Sequence, residues 1–209
     1  MNWKDINIDA ANKVLKEYSP AQIVEWVLNR EQNAVVTTNF RPYEAAILHA
    51  VTSIKSNIKV IWCDTGYNTP NTYRCAEKII EQLDLNIQLY VPKQTAAHRD
   101  VVMGIPDVND ERHAEFTYQV KLEPFTRAFE EHQPKVWFTN LRKGQTVLRN
   151  SLDILSVGKD NVLKVSPFYH YSDEDLDQYM KKFNLPNEHK YYDPTKALAN
   201  RECGLHQIK

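Results

Sequence analysis

Near the end of the chain, the hexapeptide Arg201-Glu-Cys-Gly-Leu-His206 places one cysteine between two basic side chains. A thiol attacks as its thiolate, and a neighbouring cation favours that form. Arg201 and His206 could do this for Cys203, and Gly204 leaves room for a substrate to come close. Core cysteines sit among apolar neighbours. Cys203 stands in a polar segment, so it reads as either a nucleophile or an incidental surface thiol. Cys63, in the apolar run Lys59-Val-Ile-Trp-Cys63, and Cys75, in a helical pattern, read as packing residues.

Three further segments carry groups suited to an anionic or nucleotide ligand. Thr37-Thr-Asn-Phe-Arg-Pro42 joins a β-branched run to a helical pattern. Hydroxyls and backbone N–H groups at such a turn can hold an anion, through Thr37, Thr38, Asn39 and Phe40. The same residues also suit an ordinary helix cap, and no Gly-Lys-Ser/Thr ending makes the turn a Walker loop. Asp64-Thr65-Gly66 follows a second apolar run. Asp64 there could accept hydrogen bonds from a ribose or adenine, or organise an Asx turn with Gly66 at positive φ. Finally, Leu141-Arg-Lys-Gly-Gln-Thr-Val-Leu-Arg149 gathers Arg142, Lys143 and Arg149. Guanidinium forks match phosphate and sulfate oxygens; a solvated basic turn is the plainer reading.

Positioning these groups requires a frame. The first thirty residues read as helical, with Ser19-Pro20 as N-cap and first helical residue. Strands are expected at Ala34–Thr38, Lys59–Cys63, Ile87–Val91, Lys135–Thr139 and Val162–Val165. Helices are expected at Tyr43–Ile54, from Thr69-Pro70 onward, at Pro124–Glu131 and after Ser172. This alternation predicts an α/β fold, a parallel sheet with helices on both faces. Right-handed crossovers then bring 37–41, 64–67 and 139–142 to one sheet edge. Residues 186–209 are expected to form an irregular tail to a single domain spanning 1–209.

The formal net charge of −1 argues against a nucleic-acid or membrane-surface binder. No apolar run is long enough to cross a membrane, and the start, MNWKDINIDA, does not read as a secretory signal. Cys63, Cys75 and Cys203 stand far apart, which supports neither a disulfide framework nor a structural zinc site. Reduced thiols in a cytoplasmic protein are the expectation.

Taken together, these blocks resemble the phosphoadenosine phosphosulfate (PAPS) reductase family. Arg201-Glu-Cys-Gly-Leu-His206 is similar to its Lys/Arg-Glu-Cys-Gly-Leu/Ile-His signature, and Thr37-Thr-Asn-Phe40 to its modified phosphate loop. Trp62-Cys-Asp-Thr-Gly-Tyr67 with Pro70-Asn-Thr-Tyr73, Lys121-Leu-Glu-Pro124, and Trp137-Phe-Thr-Asn-Leu-Arg142 with Gln145 and Arg149 resemble three more of its blocks. The resemblance implies an adenine nucleotide alpha hydrolase-like, Rossmann-like fold. It also implies reduction of PAPS to sulfite through an S-sulfo group on Cys203, with Arg201 and His206 assisting. Lys121, Arg142, Gln145 and Arg149 would bind substrate alongside 37–40 and 64–66. Thioredoxin or glutaredoxin would act as external reductant, with no bound cofactor or metal, and a homodimer is common in the family. Related adenosine phosphosulfate (APS) reductases hold an iron–sulfur cluster on paired cysteines, for which three separated cysteines do not suffice. A cluster-free APS reductase, an ATP-pyrophosphatase-type enzyme and a non-catalytic nucleotide binder are the alternatives. Three departures stand out: Arg41 and Asn140 replace customary glycines, and the segment from Pro186 to Arg201 is short.

Overall fold

The computed structural model describes residues 3–158 and 161–196. Two helices open it, α1 (Ile8–Leu15) and α2 (Pro20–Leu28). Ser19 caps α2 in a reciprocal box with Gln22, and Pro20 occupies the first turn as its sequence predicts. The βα succession follows: β1 (Ala34–Thr38), α3 (Glu44–Thr52), β2 (Lys59–Cys63), α4 (Pro70–Leu83), β3 (Asn86–Tyr90). Short helices α5 (Ala96–Val102) and α6 (His113–Thr117) come next. A π-helical turn, Tyr118–Leu122, joins α6 to α7 (Glu123–His132). The chain then forms β4 (Val136–Phe138), β5 (Leu155–Val157), β6 (Leu163–Val165) and α8 (Asp173–Lys182), the last capped by Ser172 and Asp175.

The six strands lie in the order β3-β2-β1-β4-β6-β5, parallel except for the antiparallel pair β5–β6. From β1 the chain builds outward through β2 to β3, then returns to place β4 on the other flank of β1. The switch point of the sheet therefore lies between the C-terminal ends of β1 and β4, where α/β sheets open a crevice.

Strand side chains alternate between two apolar layers. Ala34, Val36, Val60, Trp62, Val136, Phe138, Leu163 and Val165 join the larger core with α1–α4 and α8. Val35, Ile61, Tyr90 and Trp137 face the other way, against Ala128, Phe125 and Phe129 of α7. Helices thus cover both faces, as the alternation of elements predicts.

The differences from the sequence reading are local. β3 begins one residue earlier, at Asn86, and β4 and β6 are each shorter than their apolar runs. Strand β5 was not expected. It spans three residues at the sheet margin, and part of its pairing comes from a side chain rather than a strand. Buried Asn12 of α1 donates to the Leu155 carbonyl at 3.0 Å and accepts from the Leu155 N–H at 2.8 Å. Between 184 and 196 no helix or strand forms, in line with the expected irregular tail.

Candidate active site

A cleft of about 730 Å³, including its open mouth, lies at the β1/β4 switch point. Its floor consists of side chains on the α7 face of the sheet: Thr37 of β1, Ile61 and Cys63 of β2, and Trp137 of β4. The Trp137 indole N–H donates to Thr37 Oγ1 at 2.9 Å, and its ring packs on Phe125 and Phe129. The loops after β1, β2 and β4 form the rim through Asn39, Arg41, Thr65, Thr139, Asn140 and Leu141. The expected convergence of three sequence-distant turns is therefore observed.

The turn after β1 is organised around a carboxylate. Glu44, one residue into α3, is buried. It accepts from Thr38 Oγ1 at 2.7 Å, the Asn39 N–H at 2.8 Å and Arg41 Nε at 2.9 Å. With the Asn39 amide oriented so that its oxygen accepts from Tyr191, its nitrogen also reaches both Glu44 oxygens at 3.0 Å. The Phe40 N–H donates to Thr38 Oγ1 at 3.0 Å. The backbone donors at 39 and 40 are thus engaged within the turn. A negative group at a helix N-terminus is favourable, and here it draws the loop tight enough to put Phe40 and Tyr43 at φ 53° and 68°. Arg41, in place of a customary glycine, is paired with Glu44 and also donates to the Asn140 carbonyl at 3.0 Å.

Lys121 enters from the π-helical turn, a wide turn that often marks functional positions. Its ammonium meets Asp193 Oδ2 at 2.5 Å and Thr195 Oγ1 at 3.4 Å; Lys121 and Thr195 are buried, and the Asp193 side chain is largely covered. Burial alone would raise the Asp193 carboxyl, but the Lys121 charge and the hydrogen bonds from Lys121 and Thr195 outweigh it and hold the carboxyl below its ordinary value. An unfolded aspartate titrates near 3.9. The stability contributed by the depressed carboxyl is therefore whole above that pH and is lost as pH falls through the lower folded value. Between about pH 5 and about pH 2.5, the native chain should lose more of its urea-unfolding stability than Asp193→Asn does; equal losses would mean that Asp193 is not depressed.

Arg149 opens a single 3-10 turn, Arg149–Ser151, and is buried. Its carbonyl accepts from the Tyr169 hydroxyl at 2.7 Å, and its Nη1 donates to Gln145 Oε1. The same Gln145 oxygen accepts from the Arg142 N–H at 3.1 Å, so one amide ties the basic turn together. The Arg142 guanidinium points elsewhere. It pairs with Asp173 at 2.6 Å and lies over the Tyr43 ring.

Of the residues selected from sequence, Thr37, Thr38, Asn39, Thr65, Lys121 and Arg149 line the cleft. Phe40, Asp64, Gly66, Arg142 and Gln145 do not; they shape its rim. Phe40 is buried edge-on against Trp62, with ring centroids 4.8 Å apart. Asp64 accepts from the Gly66 N–H at 3.0 Å, Asn68 Nδ2 at 2.9 Å and the Tyr73 hydroxyl at 3.0 Å, with Gly66 at φ 80°. This is the Asx-turn alternative of the sequence reading. Arg201, Cys203 and His206 lie outside the described residues. Glu44, Phe125, Asp193 and Lys196 were not singled out from sequence, yet they line the cleft or hold a lining residue. The sequence signal available for Glu44 was a carboxylate in the first turn of a helix, and for Asp193 the turn-forming Asp-Pro-Thr195.

Cys63 lines the cleft, but its thiol is pushed up to about 12 by burial, against the lesser pull of Lys121 and Arg127. It is held protonated, as a packing residue. Among the described residues, no three His, Cys, Asp or Glu side chains converge as metal ligands, and no helix is long and apolar enough to cross a membrane.

The phosphoadenosine phosphosulfate reductase domain model matches residues 33–194, most of the chain and every cleft residue named above except Thr195 and Lys196. The chain belongs to the PAPS reductase family. A phosphoadenosine 5′-phosphosulfate reductase of Xylella fastidiosa is 33% identical over 187 residues, covering 86% of this chain and 76% of the relative. One from Vibrio atlanticus is 32% identical over 182 residues, covering 86% and 70%. A crystal structure of the Candida auris PAPS reductase, as a phosphate complex, superposes with a TM-score of 0.75 over 86% of this chain and 87% of that one, at 24% identity. An NH3-dependent NAD synthetase of Campylobacter jejuni shares the architecture more distantly, with a TM-score of 0.55 at 14% identity over 83% and 74%. The fold is thus the adenine nucleotide alpha hydrolase-like arrangement, and in this chain Lys121 and Arg149 are both buried and line the cleft at its switch point.

Proposed function

We propose that the chain reduces 3′-phosphoadenylyl sulfate to sulfite and adenosine 3′,5′-bisphosphate, with a dithiol as electron donor. The observation that carries this reading is Lys121 and Arg149, two buried cations in one cleft of a PAPS reductase family member. Ammonium and guanidinium donors lining one cleft suit the oxygens of a phosphosulfate, which they can bind through charge-assisted hydrogen bonds. Thr37, Thr38 and Asn39 lie on the β1 side of the same cleft and would flank the phosphosulfate, while Thr65 would face the nucleoside. Arg142 and Gln145 act by holding Arg149 and the turn that carries it.

The chemistry assigned to Cys203 is nucleophilic. Its thiolate attacks the sulfur of the sulfo group; an S–S bond forms as the S–O bond to phosphate breaks. The electron pair of that bond leaves on the bisphosphate, whose charge Lys121 and Arg149 stabilise. A thiolate of thioredoxin or glutaredoxin then attacks Cys203 Sγ and expels sulfite. The second thiol of the donor resolves the mixed disulfide, and Cys203 returns as a thiol. Arg201 and His206 would favour the Cys203 thiolate or bind the sulfo oxygens. Net two-electron transfer oxidises the donor dithiol, so no bound redox group is required by this scheme. Such a reaction suits a reducing cytoplasm, where Cys63 and Cys75 stay free thiols.

The test is sulfite release with PAPS and APS in parallel, thioredoxin present. Sulfite from PAPS at a higher kcat/KM than from APS is expected. Preference for APS would make the chain a cluster-free APS reductase, and no sulfite from either would overturn the reading.

A further inference from the structure

Two carboxylates, Glu44 and Asp193, engage the polar groups of this cleft, and they are held in different ways. Glu44 is fixed on α3 and forms the turn itself through Thr38, Asn39 and Arg41. Asp193 belongs to the irregular segment 184–196 and reaches the cleft from outside the sheet. We infer that Asp193 is a displaceable stand-in for the substrate's anion on Lys121, so that arrival of the phosphosulfate releases the 191–196 segment. The inference rests on the function proposed above.

Three features carry it. First, the Lys121 and Asp193 side chains are only 8% and 6% exposed. A buried ammonium keeps an anion at every stage, and an exchange of Asp193 for a phosphosulfate oxygen satisfies that need. Second, Asp193 can leave as part of a unit. Its Oδ1 is bound within its own turn, by the Thr195 hydroxyl at 2.7 Å and the Thr195 N–H at 3.0 Å, and the Lys196 N–H closes the turn on the Asp193 carbonyl at 3.0 Å. Oδ2 faces Lys121. Third, the segment is pinned to the same rim by side chains: Asn187 Oδ1 accepts the Tyr43 N–H at 2.9 Å, and Tyr191 meets Asn39 at 2.8 Å. Cys203 follows Asp193 by ten residues, within a tether of at most about 35 Å. Release of Asp193 would therefore report to the cysteine-bearing segment that the anion is in place.

The experiment compares adenosine 3′,5′-bisphosphate binding by calorimetry to the native chain, Asp193→Asn and Asp193→Glu. Removing the competing charge should tighten binding roughly 5–20-fold in Asp193→Asn, and Asp193→Glu should stay within about threefold of native. Hydrogen exchange on the native chain gives a second readout independent of any variant: bisphosphate should accelerate exchange of amides 191–196. Equal or weaker binding by a folded Asp193→Asn overturns the inference, as does slowed exchange at 191–196. If Asp193→Asn does not fold, the exchange result alone decides. A native chain that neither binds bisphosphate nor forms sulfite sinks the proposed function and this inference together; binding and turnover without the Asp193 effects sink the inference alone.

Discussion

Cys203→Ser is expected to abolish sulfite formation, by at least about 10³-fold, while leaving adenosine 3′,5′-bisphosphate affinity within about twofold. A serine hydroxyl is almost fully protonated at neutral pH and is a far weaker nucleophile than a thiolate. A thiol starting near ~8.5 needs only a modest shift to become largely thiolate. The described cysteines cannot take over. Cys63 is held protonated near 12 by burial inside the sheet, and burial also raises the half-buried Cys75 on α4. Cys75→Ser should accordingly leave turnover unchanged. Mass spectrometry of the native chain after PAPS alone should find the sulfo adduct on the peptide containing Cys203. Retained turnover in Cys203→Ser would sink the thiol mechanism without touching the assignment of the cleft.

Arg149→Ala should raise the KM for PAPS about 30–100-fold, the equivalent of losing roughly 2–3 kcal/mol of charge-assisted hydrogen bonding. Arg142→Ala should raise it less than about fivefold. The two arginines look equivalent in sequence, and the fold separates them. Arg149 is buried in the cleft wall, whereas the Arg142 guanidinium is committed to Asp173 and the Tyr43 ring. Loss of Arg142 should therefore appear mainly in thermal melting. Michaelis constants for both variants, measured at one ionic strength, decide the matter. An equal or larger effect at Arg142 would mean that its guanidinium turns into the cleft when substrate binds.

The parts of this fold legible in sequence are those that local chemistry determines. Ala34–Thr38 and Lys59–Cys63 are apolar, β-branched or aromatic runs closed by turn residues, and both strands stand where those runs predict. Ser19, Thr69 and Ser172 cap their helices because a side-chain oxygen and a nearby backbone N–H are close in sequence. Strand β5 escaped because three residues carry no usable period and its partner Asn12 lies 143 positions away. In the cleft, Lys121 and Arg149 were legible as charged residues within recognisable blocks. Their partners were not. Asp193 lies 72 positions from Lys121, and nothing local marks it as a buried ion-pair partner. Arg41, standing where the family customarily has a glycine, is neutralised by Glu44, three residues later. Sequence identified the charges; the tertiary fold decided which of them line the cleft.

The Asn12 amide has a further consequence, for how one molecule meets another. An exposed sheet margin is a template on which a second chain can add a strand. At Leu155 the outward N–H and C=O are both taken by one side-chain amide, which presents a donor and an acceptor as a neighbouring peptide group would. Asn12 thus imitates one rung of a seventh strand and goes no further, because the rest of its helix runs on as α1. The sheet ends there on a covalently attached terminator, and edge-to-edge growth from β5 would first have to pull a buried asparagine out of its place.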